Sequence, residues 1–328
     1  MSGVRALGSF KLVDAGTADE AARVLARGNA WPLAGGTDII HLLRFRVLPD
    51  GMYPDVLVNL KTISPSLEYI RYQDGALRIG ALTKLSAISR DAAVKERFAA
   101  LAAAAGSVGS PQIRNAATVG GDIAQFPRGW YFRKPDDRFH CLRKGGDTCY
   151  ARTGDNRYHS IFGGINGCVA VNMSDVAPAL VALDAGIVTN KRTIRAEDFW
   201  DVRVPRSTVL EQDEVMLEVR IPAPPRGARS SFEKFAVRKA IDFPIVNGAA
   251  LIGDGLARIA LNAVYPVPYR AGKAEEVLRG RTDAIDEELA EEAADAAVSG
   301  AVPLAYNGWK VQVARSIVKR LILPGARR

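Results

Sequence analysis

Gly109–Ile123 reads GSPQIRNAATVGGDI. It lies between an alanine-rich helical segment, Asp91–Ala105, and a segment rich in Trp, Tyr, Arg and Cys. Its Gly and Pro residues punctuate it too densely for a plain helix or a central strand. Gly120-Gly121 carries no Cβ, so the backbone there can come within van der Waals reach of a ligand. Thr118 and Asp122 flank the pair with a hydroxyl and a carboxylate, the groups that a ribose or ribityl chain binds. Taken alone, the pair is equally well a tight turn.

A second glycine loop, Leu33–Ile40, reads LAGGTDII. A short apolar run feeds Gly35 and Gly36, then Thr37 and Asp38, then a second apolar stretch. Consecutive backbone N–H groups in such a turn form an anion-binding concavity, to which Thr37 adds a hydroxyl donor. A helix starting there would point its N-terminus the same way. The natural occupant is a dinucleotide pyrophosphate. The pattern is neither the phosphate loop ending in Gly-Lys-Ser/Thr nor the G-x-G-x-x-G fingerprint.

With IGALTKLSAI (Ile79–Ile88) and SDVAPALVALDA (Ser174–Ala185), these loops make four motifs in order, and together they resemble the FAD-binding (medium) subunit of the molybdenum hydroxylases. That group includes xanthine dehydrogenase, carbon monoxide dehydrogenase, bacterial aldehyde oxidoreductase and 4-hydroxybenzoyl-CoA reductase. The resemblance runs from about Phe10 to about Leu323. It implies an α+β fold: a two-lobed FAD-binding domain of the vanillyl-alcohol oxidase type, then a C-terminal domain of a three-stranded antiparallel sheet with helices. The expected divisions are residues 1–60 and 61–215 for the two FAD-binding lobes and 216–328 for the C-terminal domain. The resemblance also implies site residues. Leu33, Ala34, Gly35, Gly36, Thr37, Asp38 and Ile39 would wrap the pyrophosphate, and Ala117, Thr118, Gly120, Gly121 and Asp122 would form the second contact. The family usually has Asn where this chain has Asp122, and an ionised carboxylate accepts hydrogen bonds but donates none. Asp175 matches an acidic residue near the flavin. Leu217 and Lys234 match positions approaching the isoalloxazine from the third domain. No catalytic residue beyond the flavin is expected. A side chain at Gly35 or Gly121 should collide with the cofactor or force an unfavourable backbone.

The chain has 328 residues, 48% hydrophobic and 24% charged, the composition of a globular protein with two or three packed units. Its net charge of +8 is dispersed: basic clusters at Arg128–Arg143 and Arg315–Arg328 are balanced by an acidic helix at Asp286–Asp295. That argues against nucleic-acid binding and for an acidic cofactor and an oppositely charged partner subunit. No apolar run is long enough to span a membrane, and the N-terminal stretch lacks a signal-peptide core; a cytoplasmic location is expected.

Taken in order, Phe10–Val13 reads as a strand and Thr17-Ala18-Asp19-Glu20 as a capping box opening a helix. Val56–Leu60 is a further strand. Asp74-Gly75 turns a hairpin, Thr83–Ile88 begins a helix, and Val202–Glu211 reads as a surface loop. Leu217–Ile221 leads into the third unit. There Phe232–Val237, Gly248–Gly253 and Ala257–Ala263 read as strands, and Lys273–Leu278, Asp286–Val298 and Trp309–Leu323 as helices.

Cys141, Cys149 and Cys168 are the only cysteines. An odd count without a secretory signal argues against a disulfide framework. All three fall in the segment 126–168, which resembles the insertion of 4-hydroxybenzoyl-CoA reductase and bacterial aldehyde oxidoreductases. There, four cysteines bind an extra [4Fe–4S] cluster. Gly129 stands where the first of the four would fall. Three thiolates with a fourth ligand such as His140, Asp147 or His159 could hold a cubane, or three could hold a [3Fe–4S] cluster. Zinc with a histidine, or a vestigial insertion without metal, are the alternatives.

The function implied is electron transfer by FAD in a multi-subunit enzyme. Partners would be a small subunit with two [2Fe–2S] clusters and a large subunit with the molybdenum cofactor, assembled as a dimer of heterotrimers. Electrons would pass between the partner clusters and NAD, a quinone, ferredoxin or oxygen. A stand-alone FAD oxidase, or a non-catalytic subunit that keeps the fold, are the competing readings.

Overall fold

The computed structural model describes residues 8–323, so the N-terminal stretch and the end of the basic cluster at Arg315–Arg328 lie outside the described residues. Three sheets organise the chain. The first is parallel, with Val56–Asn59 between Lys11–Asp14 and Ala30–Leu33. Helices Ala18–Leu25 and Ile39–Phe45 connect it. The first helix starts as its sequence predicts: Thr17 Oγ1 accepts from the Glu20 N–H at 3.1 Å, and the Glu20 carboxylate reaches back to the Gly16 N–H at 2.8 Å. A capping residue of this kind contributes about 1 kcal/mol.

The second sheet is antiparallel and five-stranded, in the order Ile70–Gln73, Ala76–Gly80, Met216–Pro222, Gly186–Thr189, Thr193–Arg195. The strand Met216–Pro222, expected to lead into the third unit, is its centre, paired with Ala76–Gly80 on one side and Gly186–Thr189 on the other. Its buried Val219 and Ile221 join the same apolar cluster as Leu77, Ile79 and Ile187. A strand satisfied on both edges in one sheet cannot also open another.

The third sheet has four strands where three were expected: Arg229–Phe235, Val246–Gly253, Leu256–Asn262 and the two-residue Tyr269–Arg270. A strand that short leaves no alternation to read. Helices Gly272–Leu278, Glu287–Val298 and Trp309–Ile322 cover this sheet through a core of Leu289, Ala293, Ile317, Val318 and Leu321.

The alanine-rich segment forms two helices, Ala92–Arg97 and Ala99–Ser107, rather than one. The break is Phe98, at φ −131° and ψ 49°, whose ring is buried in the second unit's core. The alanines have a packing purpose. Ala100 and Ala104 meet Ala179 and Ala182 of helix Val176–Ala182 and Ala249 of the third sheet in one buried cluster. Small side chains let the second unit and the C-terminal domain approach closely.

Among the described residues, no helix is long and apolar enough to cross a membrane.

Candidate functional site

The two glycine loops meet. Ala34, Gly35, Gly36, Thr37, Asp38 and Ile39 form one wall of a cleft, and Thr118, Gly120 and Gly121 another. Arg206, Thr208, residues 210–212 and residues 214–216 complete it, including part of the segment read from sequence as a surface loop. The cleft encloses about 1160 Å³ when the open solvent at its mouth is included. Its back carries Leu25, Trp31, Leu60, Leu82 and Phe126, an apolar surface for a ring system, and Trp31 packs on Phe126 with centroids 5.1 Å apart.

The first loop has the properties of an anion cradle. The N–H groups of Gly35, Gly36, Thr37, Asp38 and Ile39 donate to no other described residue. Gly36 sits at φ +74°, the left-handed turn that aims successive amides to one side. Unpaired backbone donors lining a cleft need an acceptor from water or ligand, and a pyrophosphate supplies it. The residues present therefore fit a dinucleotide.

Asp38 has another task. Its carboxylate accepts from Arg128 at 2.6 Å, from Arg133 at 2.8 Å and from the Phe126 N–H at 2.9 Å. Burial works to raise its pKa, but the charges of Arg133 and Arg128 outweigh burial and hold it below the usual range. Asp38 therefore clasps the cysteine-bearing insertion to the first loop.

The second loop is saturated. The Val119 N–H donates to Thr83 O at 3.0 Å, and the Gly120 N–H to Ala81 O at 2.9 Å. Thr118 Oγ1 caps the short helix Val119–Ile123 by accepting from the Gly121 N–H at 3.1 Å. Asp122 turns inward, away from the cleft, and accepts from Ser174 Oγ at 2.5 Å. Burial pushes its pKa up to about 6, against the Ser174 hydrogen bond.

Gly35 is glycine for the sake of the protein's own backbone. A Cβ there would stand 2.2 Å from Ala116 O, so the expected collision with a cofactor is a collision with the second loop. At Gly121, which is exposed, a Cβ would meet only Thr118 Oγ1, at 3.0 Å.

The remaining expected residues do not line the cleft. Leu33 and Ala117 sit behind it, and Leu217 packs into the first unit's core from a strand of the second sheet, not from the third domain. Asp175 and Lys234 form a buried ion pair at 2.6 Å between the second unit and the C-terminal sheet. Asn247 also donates to Asp175, at 2.9 Å, and Lys234 donates to Ser107 O at 3.1 Å. Burial raises the Asp175 pKa, opposed by Lys234.

The insertion forms a second, smaller cavity. Cys141, Cys149, Cys168, Gly129, His159 and Arg143 all face it. The three thiols are free, and burial pushes Cys141 and Cys168 up in pKa. Arg143 is buried beside Cys168 and donates to Arg203 O at 3.0 Å, to Arg206 O and to Ser207 Oγ at 2.9 Å. It thus braces the cavity against the loop that walls the cleft. Burial, aided by the charge of Lys310, pushes the His159 pKa down to about 4.

The sequence model for the FAD binding domain in molybdopterin dehydrogenase matches residues 8–224. The chain belongs to that family. The model for the CO dehydrogenase flavoprotein C-terminal domain matches residues 231–324. The aldehyde oxidoreductase FAD-binding subunit PaoB of Escherichia coli is 30% identical over 86% of this chain and 87% of its own. The carbon monoxide dehydrogenase medium chain of Hydrogenophaga pseudoflava is 27% identical over 88% of this chain and 87% of its own. A crystal structure of carbon monoxide dehydrogenase from that organism superposes with a TM-score of 0.73 at 26% identity, covering 96% of both chains. The chain is thus an FAD-binding oxidoreductase subunit of the molybdenum hydroxylase type, with the mixed α and β architecture of that family.

Two features escaped the sequence reading. Residues 206–216 carry no glycine or motif to mark them as a cleft wall. Phe126, expected only as the start of the insertion, packs at a tilt on Trp31 at the back of the cleft.

Proposed function

We propose that this chain holds FAD across the cleft and relays electrons between the iron–sulfur clusters of a small partner subunit and an external carrier. A large partner subunit would handle the substrate at its molybdenum cofactor. The observation that carries this reading is the row of free amides from Gly35 to Ile39 in an apolar-backed cleft. Bound FAD supplies reversible one- and two-electron chemistry, and the protein positions it and tunes its surroundings.

The amides of Gly35–Ile39 would take the pyrophosphate, with Thr37 adding its hydroxyl. Trp31 and Phe126 would exclude water from the adjoining rings. Thr118, Gly120 and Gly121 would form the wall along the ribityl chain, with Ala117 and Asp122 supporting it from behind. Asp175 and Lys234 are proposed to set the electrostatic field at the domain junction, close to the isoalloxazine edge. No nucleophile or acid–base pair is needed for that task. The relatives named as a subunit and a medium chain of larger enzymes support assembly with partner subunits.

Purified full-length chain should show the two visible flavin bands and release FAD on denaturation. Co-expression with neighbouring genes should yield a complex with both partners. Oxidation of a molybdenum-site substrate by this chain alone, or a chain that purifies without flavin and takes up none, would overturn the reading.

A further inference from the structure

Gly129 leaves the insertion one thiolate short, and the structure shows what stands in that space. A Cβ on Gly129 would lie 3.7 Å from His159 Nε2. The imidazole therefore occupies the region into which a cysteine at 129 would send its sulfur. His159 lines the same cavity as Cys141, Cys149 and Cys168 and is 4% exposed.

The backbone that carries the ring is held in place. The His159 carbonyl accepts from Lys310 Nζ at 2.9 Å and from Asn307 Nδ2 at 3.1 Å, and its N–H donates to Asn156 O at 2.9 Å. The other two candidate fourth ligands are engaged elsewhere. His140 pairs with Asp137 at 2.9 Å, and the exposed Asp147 accepts from Thr148 at 2.8 Å; neither faces the cavity.

We propose that Cys141, Cys149, Cys168 and His159 are the ligands of a [4Fe–4S] cluster, with His159 Nε2 replacing the thiolate missing at Gly129. The three thiols each release a proton on binding, and the imidazole binds neutral and releases none. The site therefore carries one negative charge fewer than a four-thiolate site, beside the buried Arg143. Zinc fits less well. Its four ligands must converge on one point, and among the described residues no three His, Cys, Asp or Glu are grouped as a single ion requires. A cubane takes one ligand on each iron and so draws them from around a wider space.

The test uses the full-length chain without partner subunits, purified anaerobically and reconstituted with ferric iron and sulfide under excess dithiothreitol, which supplies the two electrons the core takes up. Wild type should take up about four irons, and pulsed EPR of the reduced protein should show a strong imidazole ¹⁴N coupling. His159→Cys should keep about four irons and lose that coupling, whereas His159→Ala should fall to about three. FAD content, read on the same samples, reports separately on the cleft and on folding, and His159→Cys decides if His159→Ala loses its fold. No iron uptake, zinc in preference to iron, a cluster without ¹⁴N coupling, or His159→Ala retaining every iron would each overturn the assignment.

Discussion

The loops GGTD (Gly35–Asp38) and GGD (Gly120–Asp122) look alike in sequence and do opposite things. The first keeps its four amides and that of Ile39 free and ties its aspartate to two arginines. The second satisfies its amides internally and buries its aspartate against a serine hydroxyl. One loop is the donor surface, and the other is the rigid wall that it rests on. Their glycines differ accordingly. Gly35 is required by backbone packing 2.2 Å away, while Gly121 borders open cleft.

The sharpest way to break this contrast is Gly35→Val. Driving a branched side chain into Ala116 O should cost more than about 4 kcal/mol and remove soluble folded protein, as read from yield and thermal melting. A folded Gly35→Val protein that lacks only FAD would restore the cofactor-collision account. Next comes Asp38→Ala, which strands the Arg128 and Arg133 charges. Breaking a buried pair costs about 3–5 kcal/mol, so denaturant unfolding should shift by that order, and an unchanged midpoint would show that the clasp is idle.

The two aspartates should also respond to pH with opposite sign. Asp38, with its pKa lowered when folded, contributes stability above its unfolded pKa of 3.8 that is lost as pH falls. Asp122, raised to about 6, contributes through its protonated form: stability is full below 3.8 and lost as pH rises through about 6. Asp122→Asn should cancel that decline. Each tenfold change in proton affinity between the folded and unfolded chain corresponds to about 1.4 kcal/mol, so the gain over wild type at pH 7 should be on the order of 2–3 kcal/mol. Unfolding measured at pH 4.5 and pH 7 for both proteins checks it, and parallel pH curves would refute it.

Gly121→Val should leave the fold in place and weaken FAD binding about tenfold or more, equivalent to about 1.4 kcal/mol. Titration of apo-protein with FAD measures this, and undiminished affinity would take Gly121 out of the site. The smallest effect expected is for Thr118→Val, which removes the helix cap of the second loop at a cost of about 1 kcal/mol. Its thermal melt should fall by a few degrees while FAD stays bound.

Most of this was legible in the residues. The capping pattern at Thr17–Glu20, the hairpin at Asp74-Gly75 and the two glycine loops each carry a local signal, and the structure places the loops face to face. What the sequence hid depends on distance along the chain. Strand Met216–Pro222 alternates like any other, and only its partners, more than a hundred residues upstream on one side, assign it to the second sheet. The pairing of Asp38 with Arg128 and Arg133 spans some ninety positions, so a carboxylate expected only at the pyrophosphate also serves as a clasp. The break at Phe98 was invisible because an aromatic residue among alanines suits a helix as well as a kink.

That clasp has an evolutionary consequence. The insertion supplies the two cations that neutralise Asp38, and through Arg143 it also props the far wall of the cleft. Excising it would leave an uncompensated anion beneath the first glycine loop and a hole behind residues 203–207. A lineage that ceased to load metal there would still be selected to keep the segment. The cysteines could then drift one at a time, while the surrounding scaffold is entrenched by a carboxylate that pairs with Arg128 and Arg133 and not with the thiols.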